Sequence, residues 1–109
     1  MNYIVGDIGN TSTRICLLNK KFTIIKSYIF DTKKIFEKKY FKNIIKKLSK
    51  KKVSSIIIFS SVVPSAFKII KNYLKKKKFA VFEIKDLNDA KSILDYLRYS
   101  LDRHHLKWE

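Results

Sequence analysis

The chain opens with short apolar runs separated by polar turns. Residues 2 to 8 and 13 to 18 are rich in Ile, Val and Leu and are divided by turn formers, the pattern of a β-hairpin. After the polar break "NKK", residues 22 to 30, "FTIIKSYIF", continue as a third strand. From Thr32 the period changes. Asp31 precedes it, Thr32 suits an N-cap, and Phe36, Tyr40, Ile44 and Leu48 fall four apart on one stripe, joined by Phe41 and Ile45. Lys38, Lys39, Lys42, Lys46 and Lys47 lie mostly off that stripe, so the segment reads as an amphipathic helix against a sheet.

"SSIIIFSSVVP", residues 54 to 64, is a continuous apolar strand of the kind buried on both faces of a parallel sheet, and Pro64 stands where a helix can begin. Ala66, Ile70, Tyr73 and Leu74 make the next stripe, closed by a lysine run that suits a helix C-terminus. "FAVFEI" reads as a fifth strand. From Asp86, "DLNDAKSILDYLRYSL" reads as a helix with Leu87, Ile93, Leu94, Leu97 and Leu101 as core candidates. The order is β-β-β-α-β-α-β-α, which predicts an α/β lobe with a mixed sheet and covering helices.

Composition narrows the class. With 109 residues, 46% of them hydrophobic, and only two Gly and one Pro, the chain fits one folded domain and not a disordered or collagenous one. Cys16 is alone, so no internal disulfide forms; in an apolar strand it reads as a small buried hydrophobe in a reducing compartment. Asp7 and Asn10 interrupt the apolar start and no run reaches membrane-spanning length, so the expectation is a cytoplasmic protein without a membrane partner. The net charge of +16, from 25 Lys plus Arg against nine acids, raises a polyanion partner. Nearly all the cations are lysines on polar helix faces, with no arginine cluster or nucleic-acid fold motif, so a solvated lysine face is preferred and a nucleic-acid module is the alternative.

The first hairpin turn carries the densest chemistry. "DIGNTSTR", residues 7 to 14, brings an acid, a glycine, an amide and three hydroxyls into one turn. Phosphate needs a donor-rich concavity, and glycine lets backbone N–H groups approach closely. Gly9 and Asn10 tolerate positive φ, while Thr11, Ser12 and Thr13 offer hydroxyls to phosphate oxygens. Asp7 beside phosphates requires a cation between them, which suits hydrated Mg²⁺. On spacing alone, a plain polar turn explains the same string equally well.

"DIGNTSTR" at the start of the chain, followed by three strands and then by "SSVVPS" at residues 60 to 65, closely resembles type III pantothenate kinase, which phosphorylates pantothenate with ATP to begin coenzyme A synthesis. The resemblance covers roughly residues 1 to 85 and implies a ribonuclease-H-like, actin-like ATPase lobe, two of which clamp a nucleotide in that superfamily. It implies that Asp7 assists the metal and phosphates, that Gly9, Asn10 and Thr11 hold ATP phosphates, and that Ser12, Thr13 and Arg14 flank them. For the full-length family it further implies Mg²⁺, a monovalent cation (K⁺ or NH₄⁺) and a homodimer. The second phosphate motif, D-x-G-T-A-T-T, does not occur in these residues, so the expectation is an ATP-binding lobe with a divergent or truncated helical tail at 86 to 109, inactive alone, with a non-catalytic regulatory relative of the kinase as a further alternative. The substrate motif G-x-D-R has its nearest string in "SLDR", where Asp102 and Arg103 match but Ser100 replaces the glycine; an exposed ion pair at a helix end is the simpler reading. His104 and His105 have no further ligand at metal spacing, and they and Trp108 read as a solvated terminus.

Overall fold

The computed structural model describes residues 1–50 and 52–85. The segment 86–101 read as a helix, with Asp102, Arg103, His104, His105 and Trp108, lies outside the described residues. Three strands come first: β1 (Asn2–Ile8), β2 (Ser12–Leu18) and β3 (Ile24–Asp31). A 3-10 turn, Thr32–Phe36, leads into helix α1 (Lys38–Leu48); β4 (Val53–Ser61), helix α2 (Pro64–Lys76) and β5 (Ala80–Ile84) follow. The sheet order is β3-β2-β1-β4-β5. β1, β2 and β3 pair antiparallel as a meander, while β4 runs parallel to both β1 and β5. This mixed five-stranded α/β sheet is consistent with an actin-like ATPase lobe.

Period-two alternation sorts each strand into two faces. Ile4 and Ile8 of β1, Ile15 and Leu17 of β2, Phe30 of β3, and Ile57 and Phe59 of β4 form one buried cluster with Phe41, Ile44, Ile45 and Leu48 of α1 and Ala66, Phe67, Ile70 and Leu74 of α2. Gly6 belongs to the same row, beside Phe59. A Cβ there would run into the Phe59 ring, so the missing side chain is what lets the ring lie flat in the core. Ile56, Ile58, Phe82 and Ile84 form a smaller cluster of their own. Cys16 is buried, as its strand position predicts.

One expectation shifts. Phe41, Ile44, Ile45 and Leu48 of the expected stripe are buried, but its first members are not: Phe36 is 53% exposed and Tyr40 is exposed, while Ile35 is buried ahead of them. The cause is local. Glu37 is extended, with φ −96° and ψ 96°, and splits the predicted helix in two. Before it, the 3-10 turn has three residues per turn, which places Thr32 and Ile35 together on the inner side. Tyr40 still contributes by setting its ring edge-on to Phe30, with centroids 5.3 Å apart. The second helix starts with Pro64 as expected, and ends in a Schellman closure where Phe79 N–H reaches the Leu74 carbonyl at 3.0 Å.

Candidate functional site

β1 delivers Asp7 at its end, Gly9, Asn10 and Thr11 make the turn, and Ser12 opens β2. The Gly9 N–H closes the turn by donating to the Ser12 carbonyl at 2.9 Å. A Cβ at position 9 would stand 2.9 Å from that oxygen, so close approach is what demands glycine here. Positive φ, the expectation from residue type, is not used at Gly9 or Asn10; among the described residues it occurs at Phe22 and Lys78.

What shapes the turn is Thr32, which the sequence suggests as a helix cap. Its N–H donates to the Thr11 carbonyl at 3.0 Å, and its hydroxyl donates to the Gly9 carbonyl at 2.7 Å. With that proton committed, the Thr13 hydroxyl is the donor in the 2.9 Å contact between the two threonines. Thr13 is completely buried. It therefore does not stand beside Thr11 and Ser12 as a hydroxyl open to phosphate, a correction to its expected role. Alternation carried the signal, since Thr13 shares a face with the core residues Ile15 and Leu17.

The clamp divides the turn's polar groups. The Gly9 and Thr11 carbonyls are drawn onto Thr32. The Asn10 and Thr11 N–H groups, the Asn10 amide and the Thr11 and Ser12 hydroxyls have no hydrogen-bond partner among the described residues, and Asn10, Thr11 and Ser12 are exposed. A turn with two of its carbonyls tied down and its Asn10 and Thr11 N–H groups free is complementary to an anion.

Asp7 lies next to that surface. In the β1–β4 register it sits beside Ser60, and in the β1–β2 register it sits opposite Arg14. Ser60 donates its hydroxyl to Asp7 Oδ1 at 2.6 Å. Arg14 is exposed and makes no ion pair with Asp7 among the described residues. Asp7, Ser60 and Ser61 border a cavity of about 460 Å³ at the C-terminal ends of β1, β4 and β5, where open α/β sheets bind ligands. No group of three or more His, Cys, Asp or Glu able to hold a metal occurs among the described residues. Asp7 with its hydroxyl neighbour fits a hydrated Mg²⁺ shared with ligand phosphates; Glu83 also borders the cavity, beside Lys85 at 3.8 Å, and the two carboxylates do not make an all-protein metal cage.

A family model for type III pantothenate kinase matches residues 3–97. The chain belongs to the type III pantothenate kinase family. It is 42% identical over 104 residues to the type III pantothenate kinase of Pelagibacter ubique (strain HTCC1062), across 92% of this chain and 42% of that protein. The chain thus spans less than half the length of this curated relative. Kinases of this family use ATP. The two strings that carry the resemblance, around Asp7 and around Ser60, are separated by about fifty residues of chain and meet side by side in the sheet. Residue type alone marks the first string for chemistry and leaves the second as a family mark. Ser60 and Thr32 escape such a reading because their partners are distant in sequence. No helix of the described residues is long and apolar enough to cross a membrane.

Proposed function

We propose that this lobe binds the phosphates of ATP and serves the phosphorylation of pantothenate in coenzyme A synthesis. The observation that carries the reading is the divided turn, whose Gly9 and Thr11 carbonyls are held by Thr32 while its Asn10 and Thr11 N–H groups and Thr11 and Ser12 hydroxyls remain free. Phosphoryl transfer asks mainly for positioning and charge neutralisation. In this reading Asn10 and Thr11 donate their N–H groups to phosphate oxygens. The Thr11 and Ser12 hydroxyls add further donors, and Gly9 lets the backbone close in. Thr13 supports from behind, and Arg14 flanks on the Asp7 side. Asp7 would hold Mg²⁺, which would supply charge neutralisation for the ATP phosphates. The pantothenate hydroxyl displaces ADP from the γ-phosphorus, a step that needs a base and a second phosphate motif, neither of which lies among the described residues. A cytoplasmic setting, a homodimer and a monovalent cation belong to the same reading of the complete enzyme. Alone, the chain binds nucleotide and turns over little or not at all.

The test is an amide NMR titration of the 109-residue chain. Adding ATP with Mg²⁺ should move the Asn10 and Thr11 amide signals first, and adenosine should not. Asp7→Asn should remove the Mg²⁺ dependence of the effect while leaving the fold intact. Unmoved Asn10 and Thr11 signals at millimolar ATP would sink the reading.

A further inference from the structure

The Ser60 hydroxyl does something specific to Asp7. Its 2.6 Å bond to Oδ1 lies in the short range of hydroxyl bonds to a charged carboxylate. The contact is built in by register, because parallel pairing sets Asp7 and Ser60 abreast and the ladder continues past them through Val62 N–H to the Ile8 carbonyl at 3.0 Å. The neighbouring hydroxyl is engaged elsewhere, since Ser61 Oγ accepts the Val63 N–H at 3.0 Å within the loop before α2. On the far side of Asp7, Arg14 makes no ion pair among the described residues. Of the side chains beside it in the sheet, Ser60 is the one that grips the carboxylate, and it takes one oxygen and leaves the other.

We infer that Ser60 is a positioning residue that makes Asp7 a one-oxygen ligand and so tunes the nucleotide site toward Mg²⁺ and against Ca²⁺. This rests on the nucleotide reading above. Ca²⁺ gathers six to eight oxygens at flexible geometry and gains from carboxylates that chelate with both oxygens. Mg²⁺ keeps most of its waters in a near-octahedral shell and accepts a carboxylate through one oxygen. With Oδ1 occupied by Ser60, two-oxygen chelation requires breaking a charge-assisted hydrogen bond, whereas contact through Oδ2 or its bound water does not. Glu83 is a second carboxylate on the same cavity, but it faces Lys85 at 3.8 Å, and no group of three or more potential metal ligands forms among the described residues. The side wall that Asp7 and Ser60 share belongs to the cavity of about 460 Å³, which has room for an ion with its waters.

The experiment is isothermal titration of the 109-residue chain with ADP, once in Mg²⁺ and once in Ca²⁺. The unaltered chain should bind on the order of tenfold more tightly in Mg²⁺. Ser60→Ala should bring the two affinities close together, mainly by raising the Ca²⁺ one, and Ser60→Thr, which keeps the hydroxyl, should restore the preference. A merely structural role for Ser60 would weaken both titrations equally. Should Ser60→Ala not fold, Ser60→Cys, a weaker donor of similar size, must show the same narrowing. If the unaltered chain binds ADP and Ser60→Ala keeps its full Mg²⁺ preference, the inference is overturned and the nucleotide reading stands. If the unaltered chain binds ADP with neither ion, both fall together.

Discussion

The first sheet hairpins have two turns of similar polarity that handle their donors in opposite ways. In the second, Asn19 to Thr23, the Asn19 side chain accepts the Lys21 N–H at 2.9 Å and the Thr23 N–H at 3.0 Å, and the Asn19 carbonyl accepts the Phe22 N–H at 2.8 Å. That turn satisfies the Asn19, Lys21, Phe22 and Thr23 donors itself. The first turn, Gly9 to Ser12, uses an external residue, Thr32, for its carbonyls and leaves the Asn10 and Thr11 N–H groups open. Exposed backbone donors left open are bonded by water that a ligand can displace, so the first turn can receive an acceptor, while the turn that closes on itself has fewer donors to offer. Composition hides the difference, since both turns are polar and both contain an asparagine.

The largest effect should come from removing the clamp. Thr32→Val keeps the volume and deletes the hydroxyl, which strands the buried Thr13 hydroxyl and the Gly9 carbonyl. Two orphaned groups cost about 2–4 kcal/mol together. A urea midpoint well below that of the unaltered chain, together with loss of the ATP-induced shifts at Asn10 and Thr11, is the expected pair of results. A drop in stability with the shifts intact would mean that Thr32 holds the fold and not the turn. Gly9→Ala comes next. Its Cβ would press on the Ser12 carbonyl, with an expected cost of about 1–2 kcal/mol and weaker nucleotide binding, read in the same two assays.

These substitutions also mark where the chain can be read and where it cannot. Strands and hairpins are legible because alternation is local, and Pro64 announces its helix for the same reason. The inward turn of Thr13 is there to be read from the parity it shares with Ile15 and Leu17, but a run of three hydroxyls draws attention to type over position. Thr32 reads as a cap because capping and clamping ask for the same hydroxyl; its acceptor lies 23 residues upstream. Ser60 reaches across 53 residues, a distance no local pattern spans. The expected stripe loses its first members, Phe36 and Tyr40, and gains Ile35, because an extended Glu37 cannot be seen in a periodicity that runs through it.

On the other side of the comparison, Asn19→Ala should do little. The amides it releases are exposed and water replaces the lost acceptor, so about 0.5–1 kcal/mol is expected from thermal or urea unfolding. Nucleotide-induced shifts at Asn10 and Thr11 should be unchanged. Were they to vanish, the two turns would be coupled, and the contrast between a site and a connection would not hold.

The smallest effect is a cancellation. Phe22 sits in the second turn with φ 63°, a left-handed backbone that costs a bulky residue about 1–2 kcal/mol. It is retained there with its ring 5.4 Å from that of Tyr3, a contact worth about 0.5–1.5 kcal/mol. Asparagine tolerates the same backbone but has no ring, so Phe22→Asn should change stability by less than about 0.5 kcal/mol. The two contributions separate in a Tyr3→Leu background, where the ring contact is already gone. There Phe22→Asn should stabilise by about 1 kcal/mol, because only the relief of backbone strain remains. If Phe22→Asn is as neutral in that background as in the unaltered chain, the strain is not what the ring contact offsets, and the second turn is held by Asn19 alone.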